Sequence, residues 1–297
     1  MTTTRFLDPT VLARISNLEL LAKTVVDGFI SGLHHAPYLG VSTDFAEHRE
    51  YMPGDDIRRI DWRVYGRTDR LYVKEFEADT NANFVALLDV SRSMDYGTGA
   101  LTKLDYGRFL AASLAYLSRR QRDRVGLVTF DAAIVDYVPA SAKHLDIILH
   151  TLGRRKVGKE GGIAQPLTKV AESLRRRSIL AIISDFYADP DEIFGALSRL
   201  RHRGNDLIVF HLLDPAEITL PFAEAAQFED LETGKRIPVV PEKSREEYLR
   251  QLGEHRNALR SRMGEAGVDY CFVDVSGPLD AVLFHYLSRR ERLAHVR

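Results

Sequence analysis

Asp89, Ser91 and Ser93 stand at alternate positions in the stretch Asp-Val-Ser-Arg-Ser, and a further carboxylate, Asp185, directly follows Ser184. A carboxylate and two hydroxyls are hard oxygen donors, the kind that suit a partly hydrated Mg²⁺, or Mn²⁺ or Ca²⁺ in its place. If Asp185 approaches Asp89 in space, the serines can ligate such an ion directly while a carboxylate supports it through water. One coordination position then stays open for an acidic side chain of another protein. The same residue types also cap helices and shape loops without any metal. Spacing alone leaves both readings open.

Whether these residues meet depends on the elements that carry them. Residues 84–88 are apolar without interruption and end in Asp89, and residues 179–183 likewise precede Ser184 and Asp185. Such runs suit strands covered on both faces, as in a parallel sheet under helices. Between and after them, helical and strand patterns alternate. Helices are expected over 101–120, 164–175, 192–202 and 244–264, with a shorter one carrying Leu145, Ile148, Leu149 and Leu152. Strands are expected over 124–130, 134–138, 206–213 and 270–275, and Pro278 opens a closing helix. This order predicts an α/β fold, a doubly wound and mainly parallel sheet with helices on both faces. In such sheets ligands bind outside the carboxyl ends of the strands, where Asp89 and Asp185 would lie. The stretch 214–241 reads as irregular, with a hairpin around Glu232-Thr-Gly-Lys235.

Ahead of this, Asp8 and Pro9 open a helix whose apolar face is Val11, Leu12, Ile15, Leu18, Leu21, Val25 and Phe29, ending near Gly32. Residues 38–77 change texture, with turn residues and charges interleaved with aromatics, and predict a small, mostly extended segment. Its Arg49, Asp55, Asp56, Arg58, Asp61 and Arg67 are dense enough for an ion-pair network or a recognition surface. The expected division is 1–80 for this N-terminal part and 81–297 for the α/β domain.

The 297 residues carry a net charge of −1, which argues against nucleic-acid binding by bulk electrostatics. One cysteine, Cys271, lies in an apolar strand and fits a reducing compartment. No leader pattern and no membrane span is readable, so a cytoplasmic location is expected. Rival chemistries fail on particular residues. Gly153 to Lys159 approaches a P-loop, but Glu160 stands where Ser or Thr is needed, and a helix precedes it instead of a strand. A haloacid-dehalogenase phosphatase would need an aspartate at Ser91. Neither a nucleophile elbow nor a zinc-protease helix motif occurs. A metal-dependent phosphoryl-transfer or hydrolytic enzyme using Asp89 and Asp185, or a structural module with a degenerate site that binds no metal, remains the alternative to a non-enzymatic binding protein.

The Asp89-x-Ser91-x-Ser93 pattern resembles the metal-ion-dependent adhesion site of von Willebrand factor A domains. The preceding segment is more specific: Phe45, Arg49, Tyr51, Pro53-Gly54-Asp55-Asp56, Arg58, Ile60-Asp61-Trp62, then Arg67, Leu71, Val73-Lys74 and Glu77. Together these resemble the bacterial family catalogued as domain of unknown function 58. The resemblance implies a Rossmann-like von Willebrand A-type domain with an adaptor or scaffold role, no catalysis, and partnership with a MoxR-type AAA+ ATPase acting on a client protein. It also implies a threonine ligand in a Gly-Gly-Thr loop, whereas this chain reads Gly161-Gly162-Ile163. Isoleucine donates no oxygen. The implied Mg²⁺ set is therefore Asp89, Ser91 and Ser93, supported by Asp185.

Overall fold

The computed structural model describes residues 9–12, 14, 17–34, 47–51, 62–68, 70–75, 82–154, 156–158, 162–174 and 177–295. In chain order the elements are α1 (Pro9–Leu12), α2 (Leu18–His34), β1 (Glu47–Glu50), α3 (Trp62–Thr68), β2 (Tyr72–Glu75) and β3 (Asn83–Asp89). A short 3-10 turn, Arg92–Asp95, leads to α4 (Lys103–Arg120), β4 (Arg124–Phe130), β5 (Ile134–Ser141), α5 (Leu145–Gly153), α6 (Ala164–Ser173) and β6 (Ser178–Ser184). Then come α7 (Pro190–His202), β7 (Asp206–Leu213), α8 (Pro215–Thr219), β8 (Ala226–Glu229), β9 (Arg236–Val239), α9 (Pro241–Glu265), β10 (Asp269–Asp274) and α10 (Leu279–His295).

Six strands form the central sheet in the order β10-β7-β6-β3-β4-β5. All neighbours are parallel except β5, which returns antiparallel along β4 as an edge strand. Successive side chains of a strand point to opposite faces. On β3, Phe84, Ala86 and Leu88 therefore join one apolar core with α2, α4, α5 and α10, while Val85 and Leu87 join a second core with α6, α7 and α9. That two-sided burial is why the sequence shows an unbroken apolar run and no alternation. The result is a Rossmann-like mixed α/β architecture.

The chain leaves β3 toward β4 on one side and later places β6 on the other side of β3, so strand order reverses between β3 and β6. The register runs from Asn83↔Ser178 to Leu88↔Ile183, which brings the ends of the two strands level. Asp89 and Asp185 thus flank the switch point, the crevice position the sequence pattern required.

Three elements differ from expectation. The N-terminal helix is not continuous: α1 stops at Leu12 and α2 begins at Leu18, where Asn17 Oδ1 accepts from the Glu19 and Leu20 amides as an N-cap. Leu21, Ala22, Val25 and Val26 of α2 are fully buried in the α4 core. The segment expected to be extended contains a helix, α3, between the antiparallel pair β1 and β2. Asp55, Asp56, Arg58 and Asp61 of the expected ion-pair network lie outside the described residues. Third, β5 runs to Ser141, past the expected end at Val138, because its backbone still pairs with β4 at Val125↔Ser141 beyond a register shift. The 226–239 hairpin forms its own two-stranded sheet, apart from the central one. Among the described residues no helix is long and apolar enough to cross a membrane.

Candidate functional site

Each parallel strand of the central sheet ends at or beside an aspartate: Asp89, Asp131, Asp185, Asp214 and Asp274. Three of them shape turns. Asp131 accepts from the Ala133 amide and Asp274 from Ser276, while Asp214 caps α8 and accepts from the Thr98 amide and hydroxyl at 2.9 and 2.6 Å. Asp89 and Asp185 are buried and do something else.

Both oxygens of Asp89 are engaged by neutral donors. Oδ1 accepts from the Ser91 amide at 2.9 Å, and Oδ2 from the Ser184 hydroxyl at 2.7 Å. The Ser91 and Ser93 hydroxyls lie 3.1 Å apart. Among the described residues no cationic side chain pairs with Asp89. Burial, with the Asp185 charge adding to it, pushes the Asp89 carboxyl up to about 7, although hydrogen bonds from Ser91 and Ser184 pull the other way.

Asp185 is ion-paired within the protein. Lys103, in the first turn of α4, is fully buried and donates to Asp185 Oδ2 at 2.8 Å and to Glu217 Oε1 at 2.6 Å. Burial works against the ammonium, but the two carboxylates together hold its pKa above the ordinary lysine value. The ring of Tyr187 lies 5.0 Å from the Lys103 nitrogen, adding a cation–π contact. Glu217 also closes a capping box on α8 by accepting from the Asp214 amide at 2.8 Å. Among the described residues the crevice therefore holds one buried carboxylate without a counter-ion and two that share one.

The backbone around the pair is fixed tightly. Phe186, next to Asp185, has φ of +51°, a left-handed conformation that a bulky side chain seldom takes. Its amide donates to Ser184 Oγ at 3.1 Å, and its carbonyl accepts from His255 Nε2 at 3.0 Å. Below it, His211 is enclosed by the rings of Phe186, His255, Tyr270 and Phe272. Burial drives its pKa down to about 3, so the ring is neutral. Across the crevice, Gly158 donates its amide to the Val90 carbonyl at 2.6 Å. A Cβ there would sit 2.9 Å from that carbonyl oxygen, so only glycine permits this approach to the 89–93 loop.

The residues read from the sequence thus fall into two groups. Asp89, Ser91 and Ser93 converge on one loop, and Asp185 is beside it but bound to Lys103. Ile163 is buried with Leu167 and Phe130 in the second core, and Thr168 bonds its own helix at Ala164 and receives Arg199, so neither offers an oxygen to the loop. Gly161 lies outside the described residues. Sequence reasoning missed Lys103, Ser184, Glu217, Gly158 and Glu232, whose carboxylate accepts from the Ser93 amide at 2.7 Å. Gly158 left a sequence signal as part of the imperfect P-loop, Ser184 as the end of an apolar run, and Glu232 as part of a predicted hairpin turn, but none of them pointed to its contact at this site.

Known proteins match this chain along most of its length. The uncharacterized proteins Rv1480 of Mycobacterium tuberculosis and Mb1516 of Mycobacterium bovis are each 30% identical over 256 residues, covering 84% of this chain and 80% of theirs. Among solved structures, the conserved hypothetical protein BatB from Bacteroides thetaiotaomicron is 14% identical, with 71% of this chain and 99% of that one covered at a TM-score of 0.46. An aerotolerance-related membrane protein from Bacteroides fragilis is 15% identical, covering 70% and 99% at a TM-score of 0.48. The profile of the family described as "Protein of unknown function DUF58" matches residues 47–258, and the chain belongs to that family.

Proposed function

We propose that this protein is a non-enzymatic adaptor with a von Willebrand A-type domain. In this reading the Asp89-x-Ser91-x-Ser93 loop holds a divalent cation, Mg²⁺ before Mn²⁺ or Ca²⁺, and docks an acidic side chain of a partner. The observation that carries it is the arrangement of Asp89 with the two serines. A 3.1 Å separation of the hydroxyl oxygens matches the edge of an octahedron with bonds of roughly 2.1 Å, about 3.0 Å, which is the geometry Mg²⁺ demands. Asp89 supplies the charge argument, because a buried carboxylate without a counter-ion is stabilised by a cation more than a solvated one is.

The donor set is thinner than the family pattern, since Ile163 replaces a hydroxyl and Lys103 takes the charge of Asp185. Both features lower the expected affinity without removing the three direct ligands. A bound cation would supply an electrophilic docking point; Asp89, Ser91 and Ser93 would hold it, and Ser184 and Gly158 keep the loop in place. The partners follow from the resemblance alone: a MoxR-type AAA+ ATPase and its client, in the cytoplasm.

Titration calorimetry of wild type and Asp89→Ala with Mg²⁺ and Mn²⁺ tests the site. Heat of binding is expected from wild type alone, and equal heats or none from both would sink the metal reading. Co-purification with a MoxR-type ATPase in the presence of nucleotide and Mg²⁺ tests the partner. Phosphatase or ATPase turnover that Asp89→Asn abolishes would replace the adaptor with an enzyme.

A further inference from the structure

Glu232 reaches the proposed docking loop from a distant part of the chain, 139 residues after Ser93. It sits at the tip of the 226–239 hairpin, and the tip is built rigidly. Asp230 accepts from the Glu232 amide at 2.9 Å and the Thr233 hydroxyl at 2.6 Å, and its own backbone closes onto Lys235 and Gly234. Gly234 supplies the positive φ, +70°, that the turn requires. The stem is the opposite. Between Ala226 and Val239 only Phe228, Glu232 and Val239 are less than exposed, and among the described residues the hairpin pairs with no other strand. A two-stranded hairpin with so little buried surface is marginal by itself, so its contacts at the tip weigh heavily in where it rests.

We infer that Glu232 is an internal occupant of the partner position: the hairpin latches the 89–93 loop with the same chemistry, a carboxylate, that an acidic partner would bring. This deepens the metal-bridged docking reading and rests on it for the partner's identity as an acidic segment. The fitting partner is a glutamate or aspartate carried on a tight turn, and it competes with Glu232 for the face at Ser93. The latch itself needs no metal, because the Ser93 amide donates to the carboxylate directly. Docking is then gated by displacement of the hairpin, which can swing without disturbing either core.

The test uses the full chain as wild type and Glu232→Ala. Without metal, amide hydrogen exchange is followed at Ser93 and across 226–239. The variant is expected to exchange about tenfold faster at both, the lower range for losing a hydrogen bond to a charged group. Unchanged exchange overturns the latch. With Mg²⁺, a synthetic peptide of residues 226–239 is titrated in trans and should bind the variant about tenfold more tightly than wild type. Equal affinity, or binding by neither protein, overturns the competition. A gain that persists after EDTA leaves the latch standing and refutes the metal-bridged reading instead, so the two failures are distinguishable.

Discussion

Replacing Lys103 with methionine keeps the unbranched apolar stem, one atom shorter, and removes the charge, and the consequences can be worked from the crevice geometry. At an effective dielectric of about 20, contacts of 2.8 and 2.6 Å are each worth roughly 6 kcal/mol of gross attraction. Desolvating three ions offsets most of this, so the intact triad is close to neutral for stability. Lys103→Met removes both attractions and leaves the desolvation of Asp185 and Glu217 in place. An orphaned carboxylate can escape by taking a proton, which at pH 7 costs about 1.4 kcal/mol for each unit above about 3.9, or about 4 kcal/mol. Glu217, more exposed than Asp185, recovers part of its hydration. The expected loss is therefore about 3–5 kcal/mol, as for other broken buried pairs. Urea unfolding at pH 7 should show a midpoint lower by roughly 1–1.7 M for a slope of about 3 kcal/mol per molar. Near pH 4 protonation is almost free, and the deficit should shrink to a small fraction. Adding Asp185→Asn and Glu217→Gln to Lys103→Met should recover most of it at pH 7. A deficit under about 1 kcal/mol at pH 7, or one of equal size at pH 4, would refute the buried-triad account.

Two further outcomes are expected. Asp89 is raised from 3.8 to about 7 and His211 lowered from 6.5 to about 3, so in metal-free protein they act on stability in opposite directions. The Asp89 contribution is present below pH 3.8 and lost as pH rises toward 7; that of His211 is present above pH 6.5 and lost as pH falls toward 3. Relative to wild type, Asp89→Asn should gain stability with rising pH by up to about 1.4 kcal/mol per pH unit, and His211→Phe should lose it with the opposite slope. Parallel curves for all three in EDTA, followed by urea unfolding from pH 4 to 6.5, would contradict both assignments. Gly158→Ala should cost about 1–3 kcal/mol by pushing the Val90 carbonyl aside, and should weaken Mn²⁺ binding through the 89–93 loop. Unaltered unfolding and calorimetry would show that the loop does not depend on that approach.

The division between what the sequence revealed and what it hid follows the range of the interactions. Strands β3, β6 and β7 were legible to within about a residue because two-sided burial writes itself as a continuous apolar run. The adjacency of Asp89 and Asp185 followed from one topological rule applied to two such runs. The gap between α1 and α2 was harder, since Val11, Leu12 and Ile15 fit the same period as Leu18 to Phe29 and only the Asn17 cap marks the break. Lys103 left no trace. A lysine after Thr102 at a helix start reads as a solvated first-turn residue, and nothing local foretells carboxylates 82 and 114 positions away. Glu232 is the same case: its hairpin was readable from turn chemistry, its target was not.

The hidden residues change how the visible ones should be weighed. From spacing, Asp89 and Asp185 look like equal members of one acidic site. In the fold they differ, because Lys103 pairs with Asp185 and Glu217 while, among the described residues, Asp89 receives only amide and hydroxyl donors. Among the described residues no ammonium shields Asp89 from a cation entering on the side where Ser91, Ser93 and Glu232 converge. Deleting Asp89 should therefore remove cation binding, whereas Asp185→Asn should act mainly through the Lys103 triad and reduce stability first. Calorimetry paired with urea unfolding on those two variants separates the roles. If Asp185→Asn abolishes cation binding at unchanged stability, the asymmetry fails and the two aspartates form one site after all.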